Sequence, residues 1–493
     1  MNFPHPTYSR HVLQPAYRDA QDYLFEPMLA AHEAHAIMLA ECGIISGENA
    51  AAILRAVATV REGGRGALAY QPGVEDLFFR IEARIIELAG ADFGGNLQLA
   101  RSRNDLGHAL ARMAFRLMLL DLADALLTLR KATLALAFTH LDTLMPGYTH
   151  TQPAQPITFA HYLAGVLTAL AKDQARLMAA YANMNESPLG AAALTGTGFP
   201  IDRARVAQLL GFDTVIASTQ HCIGAGDHLT DVAAAVQSLA VGLSRVTHDL
   251  LVRATQETNA LRIDDSFIQI SSIMPQKRNP VVLEHLRARL SRALGYAQTV
   301  VLQCHSIPYG DTQDIEDEIM PPLVNALATM QECVELYASV MSTVTLNEAH
   351  LRRQAGLGFT TATELADSLV REVGLPFRLA HKVVATLVQA AVRDGIPSDQ
   401  LTVARLQAAA QAVLGHDLAF TAEQFQRSID PQHFVDIRRG LGGVAAAATA
   451  AVLEACAAQL TVDEGVFAAT AARLAEADAA RNMICGGAND TAR

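Results

Sequence analysis

From Leu229 to Leu250 the apolar residues Leu229, Val232, Ala233, Val236, Leu239, Ala240, Leu243, Val246 and Leu250 recur at steps of three and four. That is the period of one helix face. The opposite face carries Ala234, Ala235 and Val241 beside its polar groups, so the helix is buried on several sides, as in the middle of a bundle. Similar long patterns fill roughly 107–141, 157–184, 281–303 and 319–348. Five helices this apolar do not suit a monomer's surface, and the pattern predicts that they pack against copies of themselves. The flanks are more broken. Gly63-Gly64, Gly73 and Gly94-Gly95 punctuate a small helical N-terminal domain, 1–106, ahead of a bundle domain, 107–355. Gly374-Leu375-Pro376 and Gly395-Ile396-Pro397 then separate the shorter helices expected of a C-terminal domain, 356–493. The polar tail from Gly486 is expected to fray.

Composition supports an all-α class. Of 493 residues 51% are hydrophobic but only 5% aromatic, and Trp is absent. Ala, Leu and Val therefore supply the interior, a mixture that favours packed helices over sheet. The net charge of −12 argues against a nucleic-acid partner, which needs basic patches. It leaves room for an anionic substrate, because the local charge of a cleft matters more than the total. Cys42, Cys222, Cys304, Cys333, Cys456 and Cys485 are scattered without a C-x-x-C, which points to the reducing cytoplasm. No secretory leader or bilayer-spanning stretch is visible, so no membrane partner is expected.

Residues 271–280 read Ser-Ser-Ile-Met-Pro-Gln-Lys-Arg-Asn-Pro. Pro275 and Pro280 forbid regular hydrogen bonding through this loop. It sets two hydroxyls beside a fixed cation, an arrangement suited to removing a proton next to a carboxylate. A loop that merely caps the following helix is the other reading.

This decapeptide resembles the signature loop of the fumarase/aspartase superfamily. Arg101-Ser102-Arg103-Asn104-Asp105, and Gly147-Tyr148-Thr149-His150 running on to Gln155-Pro156, resemble companion regions of the argininosuccinate lyase family. The resemblance implies a three-domain, all-α fold with a central five-helix bundle, four subunits forming a twenty-helix core with shared active sites. It implies β-elimination of an N-substituted aspartate to fumarate and an amine, without cofactor or metal. Within the catalytic loop, 268–282, Ser271 matches the base, Lys277 the group that holds the carbanion's charge, and Asn279 a carboxylate ligand. His150, with Thr149, matches the proton-transfer pair at the leaving nitrogen, and Glu284 the partner of that histidine. Ser102, Arg103, Asn104, Gln152, Tyr309 and Asp76 match substrate-binding positions.

Other chemistries fit less well. His32 and His35 are one residue short of a zinc motif and are expected on the surface. The acidic run from Asp311 to Glu318 lacks the glycine turn of a calcium loop. Gly190 to Gly198 has no preceding strand for a dinucleotide.

Departures from the family gather on the amine half of the substrate. The usual Gly-Gly opening is absent from Thr7-Tyr8-Ser9-Arg10-His11, and a histidine becomes Phe78. A family segment becomes Ser218-Thr219-Gln220-His221, one lysine becomes Gln303, and another becomes an acid, Glu316 or Asp317. A polar site stripped of its partners rejects the old substrate strongly. The expected substrate is accordingly an aminopolycarboxylate of the ethylenediamine disuccinate type, with argininosuccinate as the alternative. A crystallin-like structural protein is the reading from another class; Ser271, Lys277, His150 and Glu284 standing together argue against it.

Overall fold

The structure, a computed structural model, describes residues 3–490. Five long helices form its centre: α1 (Arg103–Thr139), α2 (Phe159–Met184), α3 (Asp227–Arg253), α4 (Val281–Cys304) and α5 (Met320–Thr343). They match the five apolar patterns closely. Leu126, Leu163, Val236, Leu239, Leu286 and Met330 sit in one continuous core between them. Successive helices run up and down, so the bundle has two ends. At one end lie the start of α1, the end of α2, the start of α3, the end of α4 and the start of α5. Asn183 at the foot of α2 bonds Asp227 at the head of α3 there, and Cys304 abuts Gly226. The other end carries the connecting loops. At 1.5 Å per residue the 37-residue α1 spans about 55 Å.

The N-terminal helices Phe25–Glu41, Gly47–Gly63 and Leu77–Ala89 form a second core around Leu29, Ile53, Val57 and Ile81. His32 and His35, expected on the surface, are instead buried. Their helix is buried on every side, and both rings find partners in the segment just before α1: Arg101 Nη2 lies 3.0 Å from His32 Nδ1, and His35 Nε2 2.8 Å from the Leu99 carbonyl. Burial, then Arg101, holds His35 down at about 3.

Residues expected to form one C-terminal unit divide. Leu369, Val383, Leu387, Leu406 and Phe425 make a third core within 362–429, where buried Glu364 pairs with Arg371 and Arg438. The chain then returns to the bundle as α6 (Ala446–Asp490). Arg130 of α1 donates to Asp463 at 2.6 Å, and Arg481 to Glu33 of the N-terminal domain at 3.1 Å. The tail from Gly486 stays helical to Asp490, because the Ala-rich run before it lets the helix propagate. Among the described residues no helix is long and apolar enough to cross a membrane.

Glu33 joins α6 to the N-terminal domain, since it also pairs with Arg61. Among the described residues, Glu33→Ala leaves buried Arg481 with only Asp478 at 2.8 Å and the Leu209 carbonyl at 3.1 Å and is expected to destabilise the fold by about 1–3 kcal/mol, measured by urea unfolding.

Candidate active site

The head of α1 is built by the Ser-Arg-Asn-Asp segment itself. Ser102 Oγ accepts from the Asn104 amide at 3.3 Å, and Asp105 Oδ1 accepts from the Ser102 amide at 3.0 Å. This reciprocal cap satisfies N–H groups that a helix start leaves unpaired. The other oxygen of Asp105 accepts from Gly190 and Ala192, each at 2.9 Å, and ties the 187–192 loop to the helix. Ser102 and Asp105 are thus engaged locally, while Arg103 and Asn104 face a cavity shared with Asp76. Asp76 caps the helix Leu77–Ala89 through the Phe79 amide, and its second oxygen accepts from Arg103 at 2.7 Å. Tyr309 stands at the same end, largely exposed. Its hydroxyl is 3.0 Å from His221 Nδ1 and its carbonyl accepts from Gln220.

Two further clusters occupy the opposite end. Strands β1 (Leu144–Thr149) and β2 (Gln152–Thr158) pair antiparallel with Thr149 facing Gln152, which leaves His150-Thr151 as a two-residue turn. Both turn residues have positive φ, 51° and 61°, as the tightest hairpins demand. Holding a histidine and a β-branched residue there costs about 1–3 kcal/mol each. The turn fixes Thr149, His150 and Gln152 at an exposed tip. Close beneath, Gly147 lets the strands meet, because a Cβ would lie 3.0 Å from the Ile157 side chain.

Strands β3 (Gln269–Ile270) and β4 (Arg278–Asn279) form the second projection, a short ribbon pairing Ile270 with Arg278. Its loop runs from Ser271 to Lys277, which brings these two residues to adjacent ends. Ser271 Oγ accepts from the Ile273 and Met274 amides at 3.4 and 3.1 Å. Asp265 pairs with Arg278 and fixes the ribbon's base. The ammonium of Lys277 has no partner among the described residues. Ile270 and Ile273 are 78% and 84% exposed, a high price in hydration for a loop of this size if nothing covers it. Glu284 lies on the first turn of α4, directly after the ribbon.

One chain therefore gathers Ser271, Lys277, Asn279 and Glu284, and separately Thr149, His150 and Gln152. It keeps both groups a bundle's length from Ser102, Arg103, Asn104, Asp76 and Tyr309. His150 and Glu284 make no ion pair within the chain. Sequence reading missed His108 and His228, which line the cavity with Arg103 and with Asp311 of the acidic run. The spacing carried a signal for one of them: His108 follows Asn104 by one helical turn, on the same face.

The long bundle and these three polar clusters define a lyase of the fumarase/aspartase superfamily. A lyase family model matches residues 13–295, and the argininosuccinate lyase C-terminal model matches 359–436. The chain is 36% identical over 446 residues to argininosuccinate lyase 2 of Agrobacterium fabrum, covering 90% of this chain and 88% of that one. It is 35% identical over 430 residues to argininosuccinate lyase of Methanosarcina barkeri, covering 87% and 86%. The chain belongs to the argininosuccinate lyase family and is a carbon–nitrogen lyase. Among solved structures, EDDS lyase in complex with formate superposes with a TM-score of 0.87 at 31% identity, over 100% of this chain and 97% of that one. A variant of EDDS lyase with bound fumarate gives the same values.

Proposed function

We propose that the enzyme eliminates an amine from an N-substituted L-aspartate to give fumarate, reversibly, and that its preferred substrate is of the ethylenediamine disuccinate type. The observation that carries the reading is Ser271 Oγ facing two backbone N–H groups, with Lys277 at the other end of the same loop. A serine hydroxyl ionises too weakly to act unaided. The amides of Ile273 and Met274, the nearby head of α4 and the Lys277 cation all favour its alkoxide.

In this mechanism Ser271 takes the Cβ proton. The electron pair moves into the adjoining carboxylate, and Lys277, Asn279, Thr149 and Gln152 hold the doubly charged aci-carboxylate. The pair then returns to form the Cα–Cβ double bond as the C–N bond breaks. His150, oriented by Glu284, delivers a proton to the departing nitrogen, and Ser102, Arg103, Asn104, Asp76 and Tyr309 hold the rest of the substrate. Each well-placed donor on the developing charge contributes roughly 3–4 kcal/mol. Four copies of the chain assemble, and three of them contribute to each shared site. Two observations support this assembly: the separation of the clusters along α1, and the exposed Leu117, Val241 and Leu302 on the bundle's outer faces.

The relatives named above favour argininosuccinate as the second reading. Fumarate release, followed by absorbance, separates the two. Ethylenediamine disuccinate is expected to exceed argininosuccinate in kcat/KM by about 100-fold or more. Fast release from argininosuccinate alone would reverse the preference.

A further inference from the structure

A cavity of about 170 Å³ lies beside Phe78, between the head of α1, the start of α3 and the 311–317 turn. Four carboxylates line it, those of Asp76, Asp311, Glu316 and Asp317. Its guanidinium, Arg103, is already neutralised by Asp76 at 2.7 Å and Glu75 at 3.5 Å. The wall also holds polar atoms with no hydrogen-bond partner. His108 is 3% exposed, and its Nε2 lies 3.6 Å from Asp311 Oδ1, too far to bond; both atoms are unsatisfied. His228, 1% exposed, also lines the cavity, with its Nδ1 turned to Asp227 Oδ1 at 3.9 Å. Burial, then Arg112, holds the His228 ring down at about 3, so it stays neutral. Buried polar atoms left unpaired are costly and few in a folded protein. Asp311 Oδ1 can only accept, whereas His108 Nε2 donates or accepts according to its tautomer, so the carboxylate is the group that a donor on a ligand would satisfy. Gly107 helps admit the acids, since a Cβ there would lie 3.3 Å from Glu316 Oε1.

We infer that this cavity receives a second, protonated nitrogen of the leaving amine, with Asp311 and Glu316 as its specificity-determining acceptors. The inference rests on the lyase reading and narrows its substrate to aspartates N-linked to a diamine. A protonated amine has two or three hydrogens to give, and the carboxyl groups of Asp311 and Glu316 line the cavity where they can accept them.

Protonation of the cavity follows the same logic. Burial, then the charges of Asp311 and Asp317, pushes Glu316 up to about 8. Burial, then Asp76, raises Asp317 to about 6 at the more exposed rim. The groups facing Glu316 are Asp311, Gln313 and Asp317 from its own turn, and Arg103 and His108 from α1. Asp76 faces it ahead of the helix Leu77–Ala89, and His228 faces it from α3. At neutral pH Glu316 holds a proton, and an arriving ammonium favours its ionised form, so binding releases that proton.

The test titrates the Ser271→Ala enzyme calorimetrically with N-(2-aminoethyl)aspartate and with N-propylaspartate, at pH 7 in two buffers of different protonation enthalpy. The aminoethyl ligand is expected to bind at least about tenfold tighter and to release a proton fraction approaching one. Adding Glu316→Gln is expected to erase both the preference and the release. Equal affinities, no binding, or binding without proton release overturn the subsite. Failure of the lyase reading shows separately, as wild-type enzyme that yields fumarate from neither compound.

Discussion

Ser271→Ala is expected to lower kcat by on the order of 10⁴-fold while leaving the fold intact. The structural loss is small. Ser271 Oγ accepts two amide hydrogen bonds inside an exposed loop, where water replaces it, so removal costs about 1 kcal/mol or less. The ribbon keeps its strand pairing of Gln269 with Asn279 and Ile270 with Arg278, and Arg278 keeps its bond to the Ile263 carbonyl at 3.1 Å. The chemical loss is large, because no other hydroxyl of that loop sits where those amides converge. Ser272 next to it points no bonded oxygen at them. Circular dichroism and thermal unfolding check the fold, and fumarate absorbance checks turnover. A normally folded Ala variant that still releases fumarate would remove the serine from the role of base.

The helices of the bundle were readable because each buries one wide face against the same kind of neighbour along its whole length. Leu229 to Leu250 keeps its three-and-four spacing for that reason, and the structure begins and ends α3 within a few residues of it. α6 was not readable as one long helix. Its neighbours change along its length, from α1 near Asp463 to the N-terminal domain near Arg481, so no single face stays apolar. His32 and His35 misled in the opposite sense: two polar rings imply a surface unless a buried partner such as Arg101 is known. The motif residues stood out by their embedding segments, but the cap that Ser102 places on α1 did not, because it depends on where the helix begins. What the sequence hid was distance. Arg103, His150 and Ser271 stand as neighbours in chemical logic, yet α1 sets the first of them a bundle's length from the other two. The acidic cavity was partly visible as Asp311 to Glu318, but its histidines come from α1 and α3, far off in the chain.

Two inactive variants, Arg103→Ala and Ser271→Ala, are expected to regain turnover when their subunits are mixed by refolding together, although each alone falls about 10³-fold or more. The reason is geometric. Arg103 lies at the head of α1, and Ser271 lies beyond the end of α3. A proton-transfer geometry works over about 3 Å, whereas α1 alone is about 55 Å long. On the proposed mechanism a working site therefore takes its Arg103 end from one copy and its Ser271 end from another. Some sites in a mixed assembly then draw both ends from undamaged chains. The control is Ser271→Ala mixed with Lys277→Ala. These residues share one loop between β3 and β4, so every ribbon in that mixture carries one defect or the other, and no site is whole. Fumarate release by the first mixture and none by the second is the expected pattern. Silence from the first, or recovery in the second, contradicts sites shared between opposite ends of neighbouring bundles.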